Sequence, residues 1–395
     1  MAKINLYGLL KRASRRMIIT ATAFGIVGIY ASIAFNLAVF TPIAKAISDY
    51  SFIDFYYDVL SNTGQADSSH TTVIVDMTQL STRRDLAKAL TEVLECHPKV
   101  VGVDVVFEGL KEDSVGDNMI ADVAAANHKL IFSYKLIDDS YDGTEYHETV
   151  RSFFAYTDSI EEGFTNMPRN LYGGMKRSLS IGKMLNGELQ PSIIKRVADA
   201  YAEKEVAPLT NKDVRINFAP IEFRIIPADS IRDYAHVLAD RVVLFGAMHE
   251  EADMHYTPQG KIAGVKLLAY GIETLLRQNE VSDPPRWLLW LVSFVMVLFT
   301  KYVFDIYGRC VSRIHSSLYR IVLLSKLARG LLKFVWIGVL MWGAFLIFCR
   351  YNIGFDLAWA LTAVAFINTA EDLCDLAINY IEERKKQKQY KNNGN

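Results

Sequence analysis

Apolar positions follow two regimes along the chain. Near both ends they run together, and in the middle they recur at helix and strand periods. Residues 17–41 hold no charged side chain over about 25 positions, enough for a helix to cross the ~30 Å hydrocarbon core of a bilayer. Three more apolar runs, at 287–304, 334–349 and 351–370, predict three further spans. Between the first and second runs, short apolar stretches at 73–75, 100–107, 129–136 and 242–245 predict buried strands, with further strands at 214–218 and 223–226. Leu86, Leu90, Val93 and Leu94 form one helical face within 83–94. Helices are also expected at 42–60, 117–127, 191–203, 227–238 (with Asp229 or Ser230 as N-cap) and 265–277. Strands alternating with single helices imply βαβ units. The expected fold is therefore an α/β, mostly parallel-sheet extracytoplasmic domain inserted between one N-terminal and three C-terminal transmembrane helices.

Basic residues orient these spans. Lys3, Lys11, Arg12, Arg15 and Arg16 precede the first, and Arg309, Arg313, Arg320, Lys326, Arg329 and Lys333 fill the link 305–333. The tail 371–395 carries Arg384, Lys385, Lys386, Lys388 and Lys391, whereas only Arg350 separates the last two spans. Both termini and the link are thus expected in the cytoplasm and residues 42–286 outside it. Ile314, Leu318, Ile321, Val322, Leu324 and Leu327 interleave with the bases of the link at helical spacing, as in a helix lying in the membrane interface. Glu371, Asp372 and Asp375 mark where the last helix is expected to leave the bilayer. Ser14-Arg15-Arg16 with Ala44-Lys45-Ala46 has the outline of an export signal and cleavage site, but the apolar run is longer than a signal core, which favours an uncleaved anchor.

Composition narrows the function classes. A net charge of −1 offers no global field for nucleic acid. The four cysteines have no metal-ligand spacing, and Cys96 reads as a small buried residue. No hydrolase motif occurs, and Gly173-Gly174 lacks the strand-before, helix-after setting of a phosphate loop. No catalytic activity, cofactor or metal is expected. Chemistry concentrates at Asp76, Asp104 and Asp253, which fall at or just after the carboxyl ends of predicted strands, where open parallel sheets bind ligands. Three carboxylates there suit a divalent cation or another ligand; they equally suit the capping of loop N–H groups. His249, Glu250, Glu251 and His255 extend the polar loop, and the Thr257-Pro258 step predicts an extended turn. Arg83 and Arg177 are available to these acids or to an anion. The candidate ligand-binding set is Asp76, Asp104, Arg177, Asp253, His255 and Thr257.

Four segments resemble the CHASE2 domain, an extracytoplasmic sensory module of bacterial transmembrane receptors. Val73-Ile74-Val75-Asp76-Met77-Thr78 is similar to the family's strand ending in Asp-x-Ser/Thr, and Val101-Gly102-Val103-Asp104-Val105-Val106-Phe107 to its strand ending in Asp-x-x-Phe. Gly163-Phe164-Thr165-Asn166 with the later Arg177 is similar to a third segment, and residues 242–276, with Asp253, Thr257-Pro258 and Gly264-Val265, to a fourth. The family's Trp-Pro-Trp-x-Arg is replaced by Leu80-Ser81-Thr82-Arg83-Arg84, and its Asp-Gly before the arginine by Gly174-Met175-Lys176. Family members typically carry a cyclase, kinase or other effector after the spans, and the residues after 370 resemble none of these. The resemblance implies a multi-pass inner-membrane sensor, its large domain in the periplasm. Its expected partners are the lipid bilayer, a separate cytoplasmic effector or an envelope-complex protein, and a second copy of the chain. A non-switching scaffold subunit of an envelope complex is the alternative.

Overall fold

The computed structural model describes residues 6–36, 51–64, 66–137, 145–156, 160–168 and 174–393. Residues 42–50 of the helix expected at 42–60, the end of the first span at 37–41, the Ala44-Lys45-Ala46 step and Gly173 lie outside them. The chain divides into two units, Asp54–Ser282 and the pair of segments Met1–Ile53 and Asp283–Asn395.

The first unit is built on a seven-stranded sheet. Its strands are β1 (Asp67–Asp76), β2 (Val100–Val103), β3 (Leu130–Ile137), β5 (Glu148–Val150), β6 (Glu161–Phe164), β11 (Ile221–Pro227) and β12 (Val242–Gly246), in the order β11-β1-β12-β2-β3-β5, with β6 also on β3. Val73, Ile74, Val75, Val101, Val103, Val243 and Phe245 are all buried, because helices cover both faces, which is why these strands read as continuous apolar runs. One face packs on α3 (Arg83–Glu95) and α4 (Ser114–Ala126) through Leu86, Leu90, Val93 and Ile120. The other meets α5 (Ile193–Ala202), which packs on β2 and β3, and α7 (Gly264–Arg277), which packs on β1 and β12. Thr82, Asp113 and Ser192 cap α3, α4 and α5 by accepting from Asp85, Gly116 and Lys195 N–H groups.

The sheet is mixed. The pairs linking β11, β1, β12, β2, β3 and β6 are parallel, while β5 runs antiparallel to β3. Small accessory sheets depart further from the expected parallel pattern. β7 (Ser178–Ser180) pairs with β10 (Asp213–Arg215), β8 (Gly182–Leu185) with β9 (Glu188–Pro191), and β13 (Met254–Thr257) with β14 (Gly260–Ala263), all antiparallel; β4 (Glu145–Tyr146) adds in parallel to β8. The β8–β9 hairpin turns at Asn186-Gly187, both at positive φ (49° and 82°), as a tight two-residue hairpin requires. The expected helix at 227–238 is instead a short 3₁₀ turn, Ile231–Tyr234, followed by α6 (Ala235–Leu238). Ser230 precedes that turn without a side-chain capping bond, its hydroxyl donating to the Asp229 carboxylate at 2.8 Å.

The second unit is helical: α1 (Leu6–Asn36), the start of α2 (Phe52–Thr63), α8 (Arg286–Ser312), α9 (Ser317–Leu324), α10 (Lys326–Tyr351) and α11 (Ala358–Asn393). Among the described residues, three segments are long and apolar enough to cross a membrane: Arg12–Ile33, Arg286–Ser312 and Leu327–Tyr351. The fourth expected span, 351–370, is not among them. Residues 352–357 are not helical, and α11 reaches Glu371 after about 13 residues, or about 20 Å of rise, shorter than a bilayer core. α11 sets buried Ala360, Ala363, Val364, Ile367 and Ala370 against Ile19, Ala23 and Val27 of α1. Small side chains allow that close approach. α9 leaves Leu318, Tyr319, Ile321 and Val322 exposed.

Candidate functional site

Five central strands of the first unit end at a cavity of about 570 Å³. Its titratable lining is Asp104 after β2, Glu108, Lys135 on β3, Glu250, Asp253 and His255 on β13; Met77, Val105, Met167 and Leu268 supply apolar walls. Glycines let these elements converge. A Cβ on Gly246 would stand 2.8 Å from Val265 and 3.3 Å from the Asp104 side chain. A Cβ on Gly264, the first residue of α7, would collide with the Asp253 carboxylate. Asp253 is therefore seated at the N-terminal end of α7. His255 Nε2 lies 3.4 Å from Asp253 Oδ1.

Asp104 is the most perturbed group here. Among the described residues its carboxylate has no hydrogen-bond or ion-pair partner, while its own N–H donates to the Phe245 carbonyl. Burial, and then the nearby charge of Asp253, push its pKa up to about 7, against the opposing pull of Lys135 and His255. A carboxyl poised near neutrality beside an imidazole and an amine can hold or release a proton. It can also receive the cationic group of a small molecule.

The remaining expected residues serve the frame. Asp76 Oδ1 accepts from the N–H groups of Thr78 (2.9 Å) and Met248 (3.1 Å), and the Thr78 hydroxyl accepts from Met248 and His249 N–H. The Asp-x-Thr segment thus ties the loop after β1 to the loop after β12. His249 is exposed, 3.8 Å from Asp76. Thr257 is buried and closes the β13–β14 turn, donating to Gly260 O at 2.9 Å and accepting from Gln259 N at 3.2 Å. Arg177 makes a two-point bond to Asp54, with Nε at 2.9 Å and Nη2 at 2.5 Å, and does not line the cavity. Arg83 pairs with buried Asp117 and donates to the carbonyls of Glu108 and Gly109, holding the loop that carries Glu108. Burial works against the Asp117 charge, yet the Lys111 N–H and the Arg83 guanidinium hold its carboxyl below the usual range. Asp104 and Asp253 meet at the cavity while Asp76 does not line it, and no metal-holding group of three His, Cys, Asp or Glu side chains occurs among the described residues.

The sequence profile of the CHASE2 domain matches residues 29–306. The chain belongs to the CHASE2 domain family. No protein of assigned function and no solved structure matches it. CHASE2 is a sensory domain family, and the segments that carry the likeness now have physical roles. In Gly163-Phe164-Thr165-Asn166, a Cβ on Gly163 would stand 2.5 Å from the Ile193 backbone, so only glycine admits α5 there. Phe164 is fully buried. Asn166 accepts from Leu136 N at 2.7 Å and donates to Leu136 O at 2.8 Å, extending the β3–β6 pairing with a side chain. In the CHASE2 strand ending Asp-x-x-Phe, Asp104 faces the cavity and Phe107 enters the core. Sequence reasoning missed Lys135 and Glu108. The available signal for Lys135 was a lone charge near the end of an otherwise buried strand, LIFSYKLI.

Proposed function

We propose that the chain is a membrane-anchored CHASE2 sensor of a bacterial inner membrane. Its first unit perceives a cue outside the cytoplasm, and a separate cytoplasmic effector supplies the output. The observation that carries this reading is the cavity at the carboxyl ends of the strands, with Asp104 unpartnered and shifted to near-neutral pKa inside a domain of a sensory family. Its lining suits a small polar molecule, a cationic group facing Asp104 and Asp253 and an acceptor facing Lys135. Basic and apolar residues at 306–333 and the charged end 379–391 are the surfaces assigned to the effector. A cue transmits only by binding two states of the protein unequally.

The test uses the full chain in nanodiscs, screened by thermal shift against small amines, amino acids and organic acids. A hit is then compared with Asp104→Asn and His255→Ala. Stabilisation lost in both variants is the expected result. Pull-down of the full chain and of a variant lacking 379–391 checks the effector arm. A cytoplasmic partner bound to the first and weakened in the second is expected. A stoichiometric periplasmic partner indifferent to any cue would replace the sensor with a scaffold.

A further inference from the structure

At one end of the helical unit, charged side chains from four helices meet. Arg12, Arg15 and Arg16 come from α1, Lys301, Asp305 and Arg309 from α8, Arg329 and Lys333 from α10, and Glu371 from α11. They line two adjoining cavities of about 240 and 290 Å³ that share Lys301, Asp305, Arg309 and Glu371. The acids are already satisfied. Asp305 binds Arg16 Nε at 2.7 Å and Lys301 Nζ at 2.8 Å; Glu371 binds Lys301 at 2.8 Å; Asp375 binds Arg15 at 2.7 Å. Arg12, Arg309, Arg329 and Lys333 are left with no carboxylate partner among the described residues. Four cations around one pair of cavities therefore lack a contacting acid, although Arg309 Nε donates to the Asp305 carbonyl at 3.1 Å.

We propose that these cavities bind a phosphate-bearing anion, the headgroup of an anionic phospholipid. The site lies where the apolar segments Arg12–Ile33 and Leu327–Tyr351 begin and Arg286–Ser312 ends, which is the level of a headgroup layer. Aromatic residues characteristic of that layer stand beside it: the Arg16 guanidinium lies 4.8 Å from the Tyr302 ring centre, and the Tyr307 hydroxyl donates to Leu323 O at 3.0 Å. Phe299, Tyr302, Ile306 and Leu327 leave apolar surface exposed next to the cavities, where acyl chains would lie. Guanidinium forks match phosphate oxygens two at a time, and arginine keeps its charge when partly desolvated. Basic pockets between membrane helices are suited to such headgroups. The inference rests on membrane insertion alone and not on the sensory reading of the other unit.

The test compares wild type, Arg309→Gln/Arg329→Gln and Arg313→Gln/Arg320→Gln as full chains. The second pair removes the same charge from residues that line neither cavity. Each is reconstituted in nanodiscs of phosphatidylcholine with phosphatidylglycerol or cardiolipin, then delipidated and weighed by native mass spectrometry. Retention of anionic lipid should fall about tenfold in the first pair and stay within about twofold of wild type in the second. Inorganic phosphate added to phosphatidylcholine nanodiscs separates the sources. No thermal stabilisation there keeps the lipid assignment, whereas stabilisation equal to that by anionic lipid makes the ligand a soluble phosphate in the same site. Equal retention of phosphatidylcholine and anionic lipid, or equal loss in the two pairs, overturns the proposal. Circular dichroism of both variants guards against misfolding, and a misfolded first pair is replaced by Lys333→Gln.

Discussion

The two units handle charge away from bulk water in opposite ways. In the α/β unit, Asp104 and Asp253 share a cavity that holds Lys135 and His255 but gives Asp104 no direct partner. In the helical unit, Asp305 and Glu371 are bound by Arg16 and Lys301, and bases are left over. A carboxyl beside a cavity can answer desolvation by moving its pKa. One inside a bundle of apolar helices depends on a cation in contact, since an unpaired charge there is costly. The first arrangement leaves a group free to respond to its surroundings; the second fixes the helices.

The largest effect expected from breaking this contrast is at Lys301. Its amine is buried and holds two acids from different helices. Lys301→Ala should cost about 2–3 kcal/mol of bundle stability, because two half-buried carboxylates lose their shared cation while Asp305 keeps Arg16. Thermal unfolding in detergent reads this, and a loss below about 1 kcal/mol would show that the pairing does not hold the bundle.

Asp104→Asn should do the reverse. The folded-state pKa of Asp104 is raised to about 7, so its protonated form stabilises the fold. That contribution is complete below the unfolded value near 4 and is lost as pH rises through about 7. Asparagine is always neutral, so the variant should be more stable than wild type by about 2 kcal/mol at pH 8, with the gain shrinking to nothing near pH 4. Unfolding curves of the full chain across that range measure it. A pH-independent difference would mean that Asp104 is solvated or paired after all.

Thr257→Val gives the smallest effect and sharpens the line between cavity and frame. Losing the turn bonds to Gly260 and Gln259 should cost about 1 kcal/mol. It should leave affinity for any cavity ligand unchanged. A variant with full stability and no ligand response would return Thr257 to the site.

Much of the core was legible, because Val73, Ile74, Val75, Val101, Val103, Val243 and Phe245 sit in strands covered on both faces. The carboxyl-end rule also picked out Asp104 and Asp253 before their meeting could be seen. Arg177 pairs with Asp54, 123 positions away, a distance that no local pattern encodes. The hairpin β13–β14 was hidden since its strands are short, polar and half-exposed. The apolar run at 351–370 likewise conceals a long-range contact. Hydropathy counts residues one at a time and cannot register that the helix continues into Glu371 and binds Lys301 there.

Helix α7 joins the cavity to a pinned end of the same unit. Its far end is clamped: Arg277 binds Glu273 and Asp67, Glu273 accepts the Ser69 hydroxyl, and Val281 just beyond donates its N–H to Arg215 O. Its near end, Gly264, meets the cavity with only a hydrogen where other residues carry a side chain. The helix is 14 residues, about 21 Å of stiff rod. Such a rod has no preferred direction of use. If a molecule in the cavity biases the clamped end, thermodynamic reciprocity requires that a bias at the clamp change the affinity of the cavity by the same factor.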